Sequence, residues 1–185
     1  RTTLLDGLAP PPGGSVLEIG CGTGWNLAQV ARRYPEARLY GVDVSSVMLE
    51  TALLKLQRSG HAHRVRLAQA DATTFVPSNV FDLPRFDRVF LSYTLSMIPG
   101  WRVVLGRSLA ALSSTGSLHI VDFGTADRLP GLCRRGLHAW LTRFDVTPRT
   151  DLRDELIRRA DRESLDLFHT ELYRSYAQYA VLKPH

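Results

Sequence analysis

The sequence predicts an α/β domain: a seven-stranded, mostly parallel sheet with helices on both faces and an antiparallel hairpin at its C-terminal edge. Three observations lead there. Apolar runs of strand length alternate with segments whose apolar residues recur at spacings of three and four, the pattern of βαβ units. A turn of alternating glycines follows the first run, at Gly20, Gly22 and Gly24. The last two runs lie close enough in sequence to pair antiparallel, whereas the earlier crossovers are right-handed and bury the sheet on both sides.

The elements follow in order. Pro10-Pro11-Pro12-Gly13-Gly14 separates Thr2–Leu8 from the rest. Ser15–Ile19, Arg38–Val42, Val65–Ala68, Arg88–Leu91 and Ser117–Val121 are short apolar runs and read as buried strands. Leu27–Tyr34, Ser46–Arg58 and Val103–Leu112 carry the helical spacing between them. Leu165–Leu172 and Tyr176–Leu182 form the expected hairpin. Between Arg128 and Phe144, residues Leu129, Leu132, Leu137, Trp140, Leu141 and Phe144 share one helical stripe with Arg128, Arg134, Arg135 and Arg143 among them. That stripe suits packing on the sheet, and it also suits a basic amphipathic helix lying in a lipid interface.

Composition narrows the class. At 185 residues the chain fits one domain, 1–185, with a core large enough to stand without staples. Apolar residues make up 44% and charged residues 22%, which excludes disorder. No apolar run approaches the ~18 residues of a spanning helix. Two cysteines, Cys21 and Cys133, make neither a disulfide framework nor a zinc site, so no metal and a reducing, cytoplasmic setting are expected. The chain opens on Arg1 with no signal peptide, and a native N-terminal piece is expected ahead of it. The net charge is +5, and 21 of the 23 basic residues are arginine. A mild positive excess permits an anionic partner without demanding one. The sequence sets no oligomeric state.

The most specific segment is Val16-Leu17-Glu18-Ile19-Gly20-Cys21-Gly22-Thr23-Gly24. A strand enters a glycine turn and then a helix, whose free N–H groups and positive dipole end face a ligand at the switch point of the sheet. The sixth position is Trp25 counted from Gly20 and Leu27 counted from Gly22, and neither suits a dinucleotide fingerprint. Glu18, two residues before the first glycine, would repel pyrophosphate and attract a cation. Asp43 follows Gly24 by nineteen residues at the end of the second strand, where a carboxylate accepts from two ribose hydroxyls.

The spacing Glu-x-Gly-x-Gly-x-Gly resembles motif I of the class I S-adenosylmethionine-dependent methyltransferases. Ala70-Asp71-Ala72 resembles their acidic adenine-facing motif, and Phe86–Leu91 their fourth strand, leading to Ser92-Tyr93 beside the transferred methyl. The resemblance implies a Rossmann-like fold and S-adenosyl-L-methionine as cofactor, with S-adenosylhomocysteine as product. It places the cofactor against Glu18, Gly20, Cys21, Gly22, Gly24, Asp43, Val44, Met48, Asp71, Ala72 and Ser92. Cys21 reads as a small packing residue of the loop rather than a nucleophile.

Leu91-Ser92-Tyr93-Thr94-Leu95-Ser96-Met97-Ile98-Pro99-Gly100-Trp101 resembles the N-methyltransferases of bacterial betaine-lipid synthesis more narrowly. Val121–Gly124 and Leu172–Ala177 look like the same group. This implies transfer to the amine of diacylglyceryl-homoserine, yielding the trimethylated lipid. Phosphatidylethanolamine or a soluble amine is the alternative acceptor. A nucleic-acid-binding protein or a cofactor-binding but inactive partner subunit is the alternative of a different class. A nucleic-acid partner is not expected, since no added recognition module is present. A nitrogen that becomes quaternary offers no hydrogen bond, so aromatic faces suit it. Tyr93 is then the expected catalytic residue, with Trp101, Tyr173, Arg174 and Tyr176 as further substrate contacts. Packing in the core is the competing reading of Trp101. His119 lies on an expected core strand and reads as structural. A diacyl substrate further implies peripheral contact with the anionic inner face of a membrane.

Overall fold

A computed structural model describes residues 2–127 and 146–185. Seven strands form one sheet: β1 (Ser15–Ile19), β2 (Arg38–Asp43), β3 (Val65–Gln69), β4 (Phe86–Ser92), β5 (Leu112–Phe123), β6 (Leu165–Leu172) and β7 (Ala177–Pro184). Their order across the sheet is β3-β2-β1-β4-β5-β7-β6. The first five pair parallel, and β7 runs antiparallel between β5 and β6. The chain moves outward from β1 to β3 and then returns to β4 on the other side of β1. The C-terminal ends of β1 and β4 therefore open a crevice at the switch point.

Both faces of the sheet are covered, because β1 sends alternate side chains to opposite sides. Val16 packs with Leu4 and Leu8 of α1 (Thr2–Leu8), Leu27 and Val30 of α2 (Trp25–Arg33), and Leu56 of α3 (Ser46–Arg58). Leu17 and Ile19 pack on the opposite face with α5 (Trp101–Ala110) and α6 (Leu152–Glu163), through Val104, Leu105, Leu152 and Leu156. Near the short helix α4 (Ser78–Phe81), Tyr40 meets Phe81 and Phe86 edge-on at 5.1 Å each. Each of these fully buried side chains contributes about 1.5–3 kcal/mol relative to exposure.

Several boundaries differ from expectation for physical reasons. Helix α5 starts at Trp101 and stops at Ala110, and Leu112 opens β5 rather than ending the helix. Ser113, Ser114, Thr115 and Gly116 interrupt the apolar run, and a register shift between Phe86 and Arg88 absorbs the irregular start. Helix α6 carries Leu152, Leu156 and Ala160 inward, and apart from Ile157 its remaining surface is charged. The expected Arg128–Phe144 helix lies outside the described residues. His119 is buried between the Ser117 hydroxyl at 2.8 Å and the Tyr179 hydroxyl at 2.9 Å. Burial, with Arg88 nearby, lowers its pKa to about 4, so it is a neutral core histidine.

Candidate cofactor site

At the carboxyl ends of β1, β2, β3 and β4 lies a cavity of about 780 Å³. The glycine turn forms its floor. The amides of Gly20 and Cys21 both donate to the Val42 carbonyl, at 2.8 and 3.0 Å, stitching the turn to the end of β2. Gly20 has φ +73°, and a Cβ there would lie 2.4 Å from the Thr94 methyl. Gly22, at φ +50°, meets nothing within 4 Å on its Cβ side, so its backbone is open to a ligand.

Three carboxylates stand on the wall. Glu18 is 1% exposed and accepts from the Asn26 amide nitrogen at 2.6 Å. Asp43 accepts from the Gly22 N–H at 2.8 Å and the Ser45 N–H at 3.0 Å, one on each oxygen. Asp71 accepts from the Thr73 backbone N–H at 2.8 Å and the Thr73 hydroxyl at 2.7 Å. Those two bonds lower its pKa. Cys21 is buried among these acids, and burial, then the Glu18 and Asp43 charges, push its thiol pKa up. It stays protonated and does no nucleophilic work.

The far wall runs from Ser92 to Gly100. Tyr93 sits in the left-handed region at φ +57° and donates its N–H to the Val121 carbonyl at 2.7 Å. Its ring leans on Phe123 at 4.7 Å between centroids, and Phe123 meets Tyr176 at 5.7 Å. A non-glycine residue at positive φ is disfavoured, so packing must hold it there. The 3₁₀ turn Leu95–Met97 is anchored from below by Asp122, whose Oδ2 accepts from the Ser96 N–H at 3.2 Å. Burial raises the Asp122 pKa. From the other side Arg149 donates to the Leu95 and Ile98 carbonyls, at 3.0 and 2.9 Å.

The cavity brings together Glu18, Gly20, Cys21, Gly22, Asp43, Val44, Met48, Asp71, Ala72, Ser92 and Tyr93. Other expected residues stand elsewhere. Gly24 caps α2 at φ +68°, and its absent Cβ makes room for Ala52, whose Cβ would lie 2.8 Å away; it serves helix packing. Trp101 is 3% exposed within the core, with Arg102 over its ring, because it shares a helical stripe with Val104 and Leu105. Tyr173 and Arg174 lie in the β6–β7 turn at φ +53° and +57°, and Tyr173 is 64% exposed. Tyr176 does not line the cavity; it packs on Phe123, which braces Tyr93. Thr94 and the Met97–Gly100 stretch, part of the segment that carries the narrower resemblance, also line the cavity, as does Asn26, which the sequence did not single out. Asn26 stands two residues after Gly24 at the end of the glycine turn, which was the available signal.

These residues suit S-adenosylmethionine: acids for its ammonium and ribose hydroxyls, and an open glycine backbone between them. Residues 16–116 match the family model described as a methyltransferase domain. The chain is 32% identical over 104 residues to trans-aconitate 2-methyltransferase of Methylobacterium radiotolerans, covering 56% of this chain and 36% of that protein. It spans between 30% and 42% of the length of the curated relatives it matches. Among solved structures, phosphoethanolamine N-methyltransferase 2 of Haemonchus contortus, in complex with S-adenosylhomocysteine, superposes with a TM-score of 0.77 at 18% identity. That match covers 100% of this chain and 52% of the other. YcgJ of Bacillus subtilis superposes with a TM-score of 0.74 at 16% identity, covering 100% of this chain and 97% of the other. At such identities the likeness is one of fold.

Proposed function

We propose that this chain, which belongs to the methyltransferase domain family, draws a methyl group from S-adenosylmethionine and passes it to the amine of a lipid headgroup, in the first instance diacylglyceryl-homoserine. The observation that carries this reading is the chemistry of the cavity wall. Beyond the acids assigned to the cofactor it holds the braced ring of Tyr93, and among its described residues no Lys, Arg or His. Such a wall favours a cationic product over an anionic acceptor. Met97, on the far wall, is an exposed apolar side chain that suits an acyl-bearing substrate.

Bound S-adenosylmethionine supplies an electrophilic methyl next to a thioether leaving group. The chain's part is placement, since displacement at that carbon by a neutral amine needs alignment and the loss of one proton. Tyr93 offers its hydroxyl to orient that proton and its ring face to the nitrogen as it becomes quaternary. The arginines of Arg128–Phe144 supply, on sequence grounds, attraction to anionic lipid. Replacing Arg134, Arg135 and Arg143 by glutamine lowers co-sedimentation with anionic vesicles if they do.

Carboxylate O-methylation is the second reading, favoured by the trans-aconitate relatives. One experiment separates the two. The protein is incubated with labelled cofactor and, in parallel, diacylglyceryl-homoserine in micelles, a soluble amine and trans-aconitate, and products are identified by mass spectrometry. Label on the lipid amine is expected. Label on trans-aconitate alone overturns the amine assignment.

A further inference from the structure

We infer that Asn26 is a positioning residue that aims Glu18 at the ammonium end of the cofactor and thereby sets selectivity for an amino-acid-bearing adenosyl ligand. This rests on the cofactor assignment and is independent of the methyl acceptor. Asn26 is 8% exposed and Glu18 1%, and both line the cavity. The Asn26 amide nitrogen donates to Glu18 Oε1 at 2.6 Å. That bond orients the carboxamide, because an amide oxygen turned toward a carboxylate would set acceptor against acceptor. The Asn26 Oδ1 is consequently buried with no hydrogen-bond partner among the described residues.

A buried carbonyl without a partner disfavours the fold, and an apolar residue of similar shape would avoid that loss. Stability alone therefore does not account for an asparagine here. Its effect on Glu18 does. A neutral donor favours the ionised carboxylate and fixes its direction without cancelling its charge. A lysine or arginine in the same place would neutralise Glu18 and repel an ammonium, and a second acid would share its proton. The amide itself adds no opposing charge beside the glycine turn, where a cationic group is to bind.

Two ligands read this out: S-adenosylhomocysteine, and methylthioadenosine, which lacks the amino-acid end. Calorimetric titration is run on wild type, Asn26→Leu and Asn26→Ala, the last guarding against misfit of the larger side chain. Each variant is expected to lose about tenfold in affinity for S-adenosylhomocysteine, on the scale of one hydrogen bond to a charged group. Methylthioadenosine should bind within twofold of wild type. Equal losses for both ligands, or no loss for either, overturn the inference. Failure of both variants to fold overturns it too, since the residue would then serve the fold.

Discussion

Asp43→Ala is the sharpest probe of the cofactor site. Each oxygen of this carboxylate already accepts one backbone N–H, from Gly22 at 2.8 Å or from Ser45 at 3.0 Å. An ionised carboxylate has about four acceptor positions, so each oxygen keeps one for a ribose hydroxyl. Hydrogen bonds to a charged group contribute about 1.5–3 kcal/mol each. Losing both ligand bonds at the lower end of that range weakens binding roughly a hundredfold. The substitution also frees the Gly22 amide, which loosens the turn and adds to the loss. Asp43→Asn is expected to fall between, since its NH₂ must face either Gly22 or Ser45 and oppose an amide donor. Calorimetric titration with S-adenosylhomocysteine measures both variants, with circular dichroism confirming the fold. An unchanged dissociation constant in Asp43→Ala would put the nucleoside somewhere other than the end of β2.

Tyr93→Ala should cut turnover at least tenfold while cofactor affinity stays within a few fold, and Tyr93→Phe should keep much of the activity if the ring face dominates; full activity in Tyr93→Ala would remove this residue from the site. Gly24→Ala places a Cβ 2.8 Å from that of Ala52 at φ +68°, so thermal denaturation should show a loss of about 1–3 kcal/mol. Gly22→Ala bears the same left-handed strain, at φ +50°, but meets no neighbour, so it should lower stability less than Gly24→Ala while weakening ligand binding more, and the reverse ranking would misplace the ligand. His119 has a folded pKa of about 4 against an ordinary 6.5, so below pH 6.5 the unfolded chain binds a proton that the native state refuses. Its contribution is intact above pH 6.5 and falls progressively toward pH 4, by about 3 kcal/mol in full. Urea midpoints measured across that window should slope less in His119→Gln, and an unchanged slope would mean another group titrates there.

The parts legible in the sequence are those where one local rule acts alone. β1, β2 and β3 are short, mostly apolar runs, and the structure places them within a residue of expectation. Helix α3 runs from Ser46 to Arg58 as its spacing predicts, because Ser45 accepts from the Met48 N–H and fixes the start. What escaped depends on partners distant in sequence. The extension of β5 back to Leu112 is set by pairing with Phe86, across a polar stretch that no apolar pattern marks. Trp101 follows a Pro-Gly pair and invites a binding role, yet its three- and four-residue spacing to Val104 and Leu105 already carried the core reading. Gly20 and Gly24 look alike in sequence, and only the neighbours Thr94 and Ala52 show that one shapes the turn while the other admits a helix. Asn26 escaped because a polar residue early in a helix is ordinary, and its partner lies eight residues upstream.

The two halves of the cavity are held by different kinds of bond, and this divides their tolerance to change. The cofactor floor hangs on backbone pairing: two amides of the turn share the Val42 carbonyl, and the Ala70 N–H donates to the Asp43 carbonyl at 3.0 Å. Substituting side chains around it leaves those bonds in place, so the donor half should accept variation wherever neither glycine nor a ligand-facing side chain such as Glu18, Asn26 or Asp43 is required. The opposite wall depends on side chains. Asp122 holds Ser96 from within, Arg149 holds Leu95 and Ile98 from outside, and Phe123 braces Tyr93 in a disfavoured backbone conformation. Losing any of these supports releases the loop without touching the nucleotide floor. The acceptor half is therefore where single substitutions can shift substrate preference while methyl-donor binding is kept.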